Sequence, residues 1–232
     1  MKKAIYIIAL LLTFNPVFGQ SIKDELKAIR SAYIINKDFS FDVEAYSYAT
    51  KNDKVPDLIS KGTAKKTADK YYSKFDQLEL LVNGDRTLMI DNAAGKMALY
   101  SYSSKLPKDY QDFRASIDTL LALSDSVVAR VSTVKGEKHF TSFSKTGFVK
   151  QTEIYFDEKT HFINRLVYQY VSSTAEYELE ADRVEVFYKN IAMKPTGTEF
   201  FELERFLKNE NSKFIPVGKY RGYSVNHYTS KS

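Results

Sequence analysis

Between residues 21 and 33, Ile22, Leu26, Ile29 and Tyr33 recur at spacings of four, three and four. That spacing sets them on one face of an amphipathic helix, with Ser21 as its N-cap and Asp24 at the third helical position. The period then changes to two. Over residues 38–50, Phe39, Phe41, Val43 and Ala45 share one face while Ser40, Asp42 and Glu44 share the other, which predicts a half-buried strand. A polar loop with Pro56 follows, then a Lys- and Thr-rich strand over 60–69, suited to an edge or a solvated face. Residues 71–102 read as four short strands with turns at Asn83-Gly84 and Asn92-Ala-Ala-Gly95. Asn-Gly between apolar runs is a hairpin signal, because both central positions must accept positive φ.

Helical spacing returns over 110–124, where Tyr110, Phe113, Ile117, Leu120 and Leu121 form a stripe behind the boundary residue Pro107. Strands resume over 126–134, 138–144, 148–156, 161–171 and 175–191, parted by turns at Lys135-Gly136, 145–147 and 157–160. Connections this short predict sequential antiparallel neighbours. The tail contains Phe200-Phe201 and ends near 220–228 in one or two more short strands. A flat sheet of so many strands would be unusual, so it must curl, close or fold over its helices. The expected fold class is mainly β (α+β), a strongly curved antiparallel sheet.

The N-terminus adds a location. Lys2 and Lys3 precede an apolar run over 4–14, closed by Asn15-Pro16, and small Gly19 stands before a cleavage point at Gln20. This is the pattern of a secretory signal. Eleven apolar residues are too few to span a bilayer, which takes roughly 20. The expectation is an exported, periplasmic protein, soluble after removal of residues 1–19, with 20–232 as a single domain. The net charge of +5 falls by two once Lys2 and Lys3 are gone, and the remaining charges are interspersed, which leaves no nucleic-acid footprint. There is no cysteine, which excludes lipid attachment of the bacterial lipoprotein type, disulfides and thiolate chemistry. The 17 Tyr and 16 Phe suit strands and large apolar surfaces.

Catalytic motifs are absent: there is no G-x-S-x-G elbow, Walker loop or G-x-G-x-x-G. His139, His161 and His227 have no metal-ligand spacing. Glu176, Glu178, Glu180 and Asp182 alternate as the water-facing side of a strand does, and the Gly218-Lys-Tyr-Arg-Gly222 segment lacks the following helix of an anion-binding loop. The expectation is a non-enzyme without cofactor or metal. What remains is a stripe of Phe39, Phe41, Val43, Tyr71, Phe75, Leu88, Ile90, Leu99, Ile154, Phe156, Leu166 and Tyr168 on apolar strand faces. It forms either a packed core or the wall of a cavity for apolar ligands.

The order of parts resembles the periplasmic outer-membrane lipoprotein carrier family (LolA-like). Glu79-Leu-Leu-Val-Asn-Gly-Asp-Arg-Thr-Leu-Met-Ile-Asp91 is similar to the family's strand–turn–strand, and the 110–124 helix stands at its lid position. Ile154-Tyr-Phe-Asp157 with Ile163-Asn-Arg-Leu-Val167 looks like its late hairpin. Val184-Glu-Val-Phe-Tyr-Lys-Asn-Ile191 followed by Glu199-Phe-Phe-Glu202 looks like its closing pattern. A C-terminal extension beyond residue 206 and a long 51–58 loop depart from it. The resemblance implies a half-open β-barrel with an N-terminal helix and a helical lid, acting as a carrier of lipoproteins or acyl chains. Phe113, Ile117, Leu120 and Leu121 would be the lid residues facing the apolar cavity. The implied partners are lipid or lipoprotein acyl chains, with transient membrane contact. The alternative is an envelope protein-interaction or stress-sensor module of the same fold with a filled core and a protein partner.

Overall fold

The first element grows directly out of the apolar stripe. In α1 (Val17–Ile35) Leu26, Ile29 and Tyr33 are buried and Ile22 half-buried, while Lys23, Asp24, Lys27 and Arg30 face solvent. The computed structural model describes residues 17–35, 38–84, 86–101, 124–144, 147–171 and 181–229. The helix begins at Val17, so Ser21 falls inside it and is not its N-cap. Gly19 does not stop it, because glycine within a helix costs only about 1 kcal/mol.

The strands are β1 (Phe39–Tyr48), β2 (Leu58–Thr67), β3 (Lys70–Phe75), β4 (Leu78–Asn83), β5 (Arg86–Asp91), β6 (Lys96–Ser101), β7 (Ser126–Arg130), β8 (Glu137–Phe143), β9 (Val149–Asp157), β10 (Ile163–Tyr170) and β11 (Arg183–Ala192). The tail adds β12 (Leu207–Glu210), β13 (Lys213–Pro216) and β14 (Ser224–Thr229). Gly84 and Gly95 take positive φ (+61° and +62°) at the two expected turns of the β3–β6 meander. Among the described residues, twelve strands form one sheet in the order β14-β6-β5-β4-β3-β2-β1-β11-β10-β9-β8-β7, and β12-β13 is a separate hairpin. The sheet is curved and not closed, consistent with a half-open barrel. The expected lid helix over 110–124 lies outside the described residues, apart from Ser124.

Sequential antiparallel pairing holds within β1–β6 and within β7–β11. It does not hold where they meet. β1 pairs with β11, Val43 opposite Tyr188, while the consecutive strands β6 and β7 lie far apart in the sheet. The tail yields three strands instead of one or two, and β14 runs parallel to β6.

Each face carries its own core. On one, α1 lays Leu26, Ile29 and Tyr33 against Phe140, Ile154, Phe156, Phe162, Ile163 and Leu166. On the other, Tyr72, Leu81, Leu88, Ile90, Met97 and Leu99 are covered by Phe201, Leu203, Phe206, Leu207 and Tyr220 from the C-terminal segment. The tail thus supplies half of the second core.

A buried carboxylate fastens it there. Glu79, on β4, accepts hydrogen bonds from Tyr72 Oη (2.8 Å), Tyr220 Oη (2.9 Å), Asn92 Nδ2 (3.1 Å) and Lys219 Nζ (3.2 Å). Burial alone would raise its pKa. The bonds from Tyr72, Asn92, Tyr220 and Lys219 outweigh burial and hold it below the usual range.

Candidate functional site

Directly paired residues of neighbouring strands share a face, and a shift of one residue moves a side chain to the other. Through Gly62 and Lys66 of β2, the register joins Phe39, Phe41 and Val43 to Tyr71 and Phe75 of β3. Through Tyr188 and Val186 of β11 it joins them to Leu166, Tyr168, Ile154 and Phe156. These nine stripe residues look toward the helix side. Leu88, Ile90 and Leu99 do not: Leu88 pairs with Leu81, which pairs with Tyr72, and Leu88, Ile90 and Leu99 are each 2 % exposed or less beneath the tail. The stripe therefore divides between the two faces of the sheet. Phe113, Ile117, Leu120 and Leu121 lie outside the described residues.

The helix-side set divides again by burial. Phe39, Ile154, Phe156 and Leu166 are packed away; Phe41, Val43, Tyr71 and Tyr168 are half-buried; Phe75 is 40 % exposed. On the β2 side of Val43 the side chains are small. Val43 is paired with Gly62, Ala45 with Ser60 and Phe41 with Ala64 on β2, and Ala64 with Ser73 on β3. Gly62 admits no side chain, since a Cβ there would meet Phe75 Cδ2 at 2.5 Å and the Lys74 carbonyl oxygen at 2.7 Å. The row from Ser60 through Ala45, Val186, Leu166 and Ile154 to Phe140 is uncharged. So is the row from Ala64 through Ser73, Leu80 and Met89 to Ala98. Val43, Ala45, Tyr71, Leu80, Met89 and Ala98 belong to neither packed core, and Leu78 beside them is 60 % exposed.

Tyr33, Tyr71, Tyr168 and Tyr188 are among the tyrosines on this side. Tyr188 meets the Phe41 ring edge-on at 5.3 Å between centroids, and lies within electrostatic reach of Tyr168, Tyr33 and Tyr71. Burial pushes Tyr188 well above the ordinary tyrosine range, an effect its three neighbours increase, and pushes Tyr168 up to about 12. Burial also raises Tyr71, less a contribution from a Ser73 hydrogen bond, and Tyr33, whose oxygen accepts the Ile163 N–H at 3.1 Å. Yet Tyr71, Tyr168 and Tyr188 keep accessible surface. Tyr168 and Tyr188 pack against the core under α1.

The three histidines lie apart. His139, on β8, stacks on Tyr155 at 4.0 Å, and burial lowers its pKa; His161 sits in the β9–β10 turn, 3.5 Å from Glu25; His227 is on β14. Among the described residues no group of three or more His, Asp or Glu is placed to hold a metal. A surface depression of about 330 Å³ is lined by Glu199, Phe200, Glu202 and Arg205 of the tail, away from the helix side. Glu176, Glu178 and Glu180 lie outside the described residues. No described helix is long and apolar enough to cross a membrane.

Sequence reasoning placed Tyr33 on the buried face of the helix but missed Tyr188 and the small residues of β2. Their signal is weak, because adjacent aromatics such as Tyr71-Tyr72 and Phe187-Tyr188 hide which member faces which way.

No family model and no curated protein matches this chain. Among solved structures, an uncharacterized conserved protein from Thermus thermophilus is 8 % identical, with 90 % of this chain and 99 % of that chain covered and a TM-score of 0.49. A LolA superfamily protein from Nitrosomonas europaea is 9 % identical, covering 82 % and 100 %, with a TM-score of 0.34. The Mycobacterium tuberculosis lipoprotein LppX is 11 % identical, covering 77 % and 98 %, with a TM-score of 0.40. At these identities and TM-scores the likenesses say nothing of function.

Proposed function

We propose that this protein is a non-enzymatic, exported binder or carrier of acyl chains, and that the helix-side face of β1–β6 is the surface that takes them. One observation carries the reading: the central row of this face, from Phe41 through Ala64, Ser73, Leu80 and Met89 to Ala98, is uncharged and belongs to neither packed core. Phe41, Val43, Tyr71 and Phe75 are the stripe residues assigned to it, and Tyr168 of β10 lies on the same side beside the core under α1. Burying each CH₂ contributes about 0.8 kcal/mol, so a sixteen-carbon chain held along such a face gains on the order of 10 kcal/mol without any specific polar contact. Small residues at Ala45, Ser60, Ala64 and Ser73 provide the depth, while Phe75 takes the space over Gly62.

Native mass spectrometry of protein purified from the envelope, with palmitoyl-lipid uptake by the delipidated chain, tests this. The wild type is expected to carry or take up lipid. Ala45→Trp, which fills the space beside Val43, is expected to reduce uptake at least tenfold while the circular dichroism spectrum is kept. A wild-type protein that neither carries nor takes up lipid contradicts the proposal. That result would favour the envelope-partner reading, which draws support from exposed Val128, Val131 and Val134 at and beyond the β7 edge.

A further inference from the structure

Within β1–β6 the exposed large apolar side chains are gathered at one end of the strands. Val55, in the β1–β2 connection, is 76 % exposed, and Ile59, Phe75 and Leu78 are exposed with it. The register sets all four together: Ser47 of β1 pairs with Leu58, Gly62 with Phe75, and Phe75 with Leu78. The opposite end of β1–β6, with its turns at Ala68-Asp69 and Gly84, carries no exposed large apolar side chain among the described residues. The connection that bears Val55 is braced. Arg183 of β11 lies over the Tyr48 ring at 3.9 Å and donates to the carbonyl oxygens of Lys51 and Asp53, the latter at 2.7 Å. Asp53 Oδ2 accepts the Thr50 N–H at 2.8 Å, and Asp57 Oδ2 accepts the Ala49 N–H at 2.7 Å. Both carboxylates are thus folded back onto the loop's own backbone. Lys51 and Lys54 are exposed and enter no ion pair among the described residues.

We propose that this end of the sheet docks on the surface of a phospholipid bilayer, with Val55, Ile59 and Leu78 entering the interfacial layer and Lys51 and Lys54 meeting lipid phosphates. The assignment rests on the acyl-binding reading above for its purpose, since water-insoluble acyl chains are met in a bilayer and the acyl face must be brought to one. Ile59 pairs with Tyr46 on the outer face, whereas Leu78 pairs with Phe75 on the helix side. The apolar side chains therefore form a rim drawn from both faces and a loop. A rim can dip into a fluid layer, but it does not present the flat, packed patch of about 800 Å² per partner that a stable protein interface uses. Apolar tips beside lysines suit a layer whose outer shell is phosphate and whose next shell is hydrocarbon. A loop already held by Arg183 loses little conformational freedom on docking.

The test is co-flotation of the full exported chain with mixed phosphatidylethanolamine–phosphatidylglycerol vesicles. Palmitoyl-lipid uptake from cyclodextrin, where no bilayer is present, is measured in parallel. The wild type is expected to float with the vesicles. Val55→Ser with Ile59→Ser is expected to weaken binding about tenfold. Lys51→Gln with Lys54→Gln is expected to weaken it about tenfold at low salt and not at high salt. Uptake from cyclodextrin is expected to be unchanged in both pairs. Val131→Ser with Val134→Ser, in the β7–β8 turn at the other end of the sheet, is expected to float as the wild type does. A wild type that takes up lipid from cyclodextrin but does not float overturns the docking surface and leaves acyl binding standing. So does equal flotation of the wild type and the Val55 and Ile59 pair, or equal weakening by the Val131 and Val134 pair. Flotation lost in the Val55 and Ile59 pair, without any uptake from cyclodextrin, supports the docking surface and contradicts the acyl reading. Concentration-dependent dimerisation abolished by that same pair, with no flotation, assigns the rim to a second copy of the chain and overturns the proposal.

Discussion

Glu79 shows most clearly how one side chain decides the fate of a segment. Its carboxylate is enclosed between β3, β4 and the tail, where an unpaired charge would be strongly destabilising, and it is held by donors from Tyr72, Asn92, Lys219 and Tyr220. Glu79→Gln replaces an acceptor-only group by one that presents two N–H donors to other donors. The expected loss is about 2–3 kcal/mol in urea denaturation at neutral pH. The pH dependence follows from the sign of the shift. The folded pKa lies below the ordinary 4.5, so the contribution is full above that value and is lost as pH falls through the folded pKa. Wild type and variant should therefore converge in acid. A gap that stays constant from neutrality into acid would contradict the carboxylate's role.

Among elements, the C-terminal segment matters most for stability. Phe201, Leu203, Phe206, Leu207 and Tyr220 are buried against β3–β6. At about 1.5–3 kcal/mol for each large side chain, their loss is comparable with the whole stability of a typical domain. Truncation after residue 197 is expected to give a chain without a cooperative thermal transition and with rapid proteolysis in β3–β6. A truncated protein melting within a few degrees of the full chain would show that the tail is an accessory. The segment was hard to read beforehand. Residues 207–216 are too short and polar to announce a hairpin, and β14 finds its partner β6 more than a hundred positions away and in parallel. By contrast, β1 and β3–β6 were legible because alternation and positive-φ turns at Gly84 and Gly95 are local signals. Face assignment was not. The alternation at Tyr71-Tyr72 reads equally well either way, and only pairing with Val82 and Leu81 separates the Tyr71 face from the Leu88 face.

For the whole molecule, the arrangement that matters is the joining of two meanders by β1 and β11. That pairing brings Val43 and Ala45 beside Tyr188 and Val186, with the small residues of β2 on the other side of β1. The outer core is then complete under the tail, whereas the helix-side face of β1–β6 lies beyond the core that α1 makes. The division of labour within β1–β6, the face under the tail for stability and the helix-side face for the proposed acyl ligand, is the central claim. Photo-crosslinking of the full chain with a diazirine-bearing palmitoyl lipid, mapped by peptide mass spectrometry, tests it most directly. Labels are expected on Val43, Tyr71, Leu80 and Met89 of the helix side. Labels on Leu81, Leu88 or Leu99 of the opposite face, or on no residue of the sheet, would contradict it.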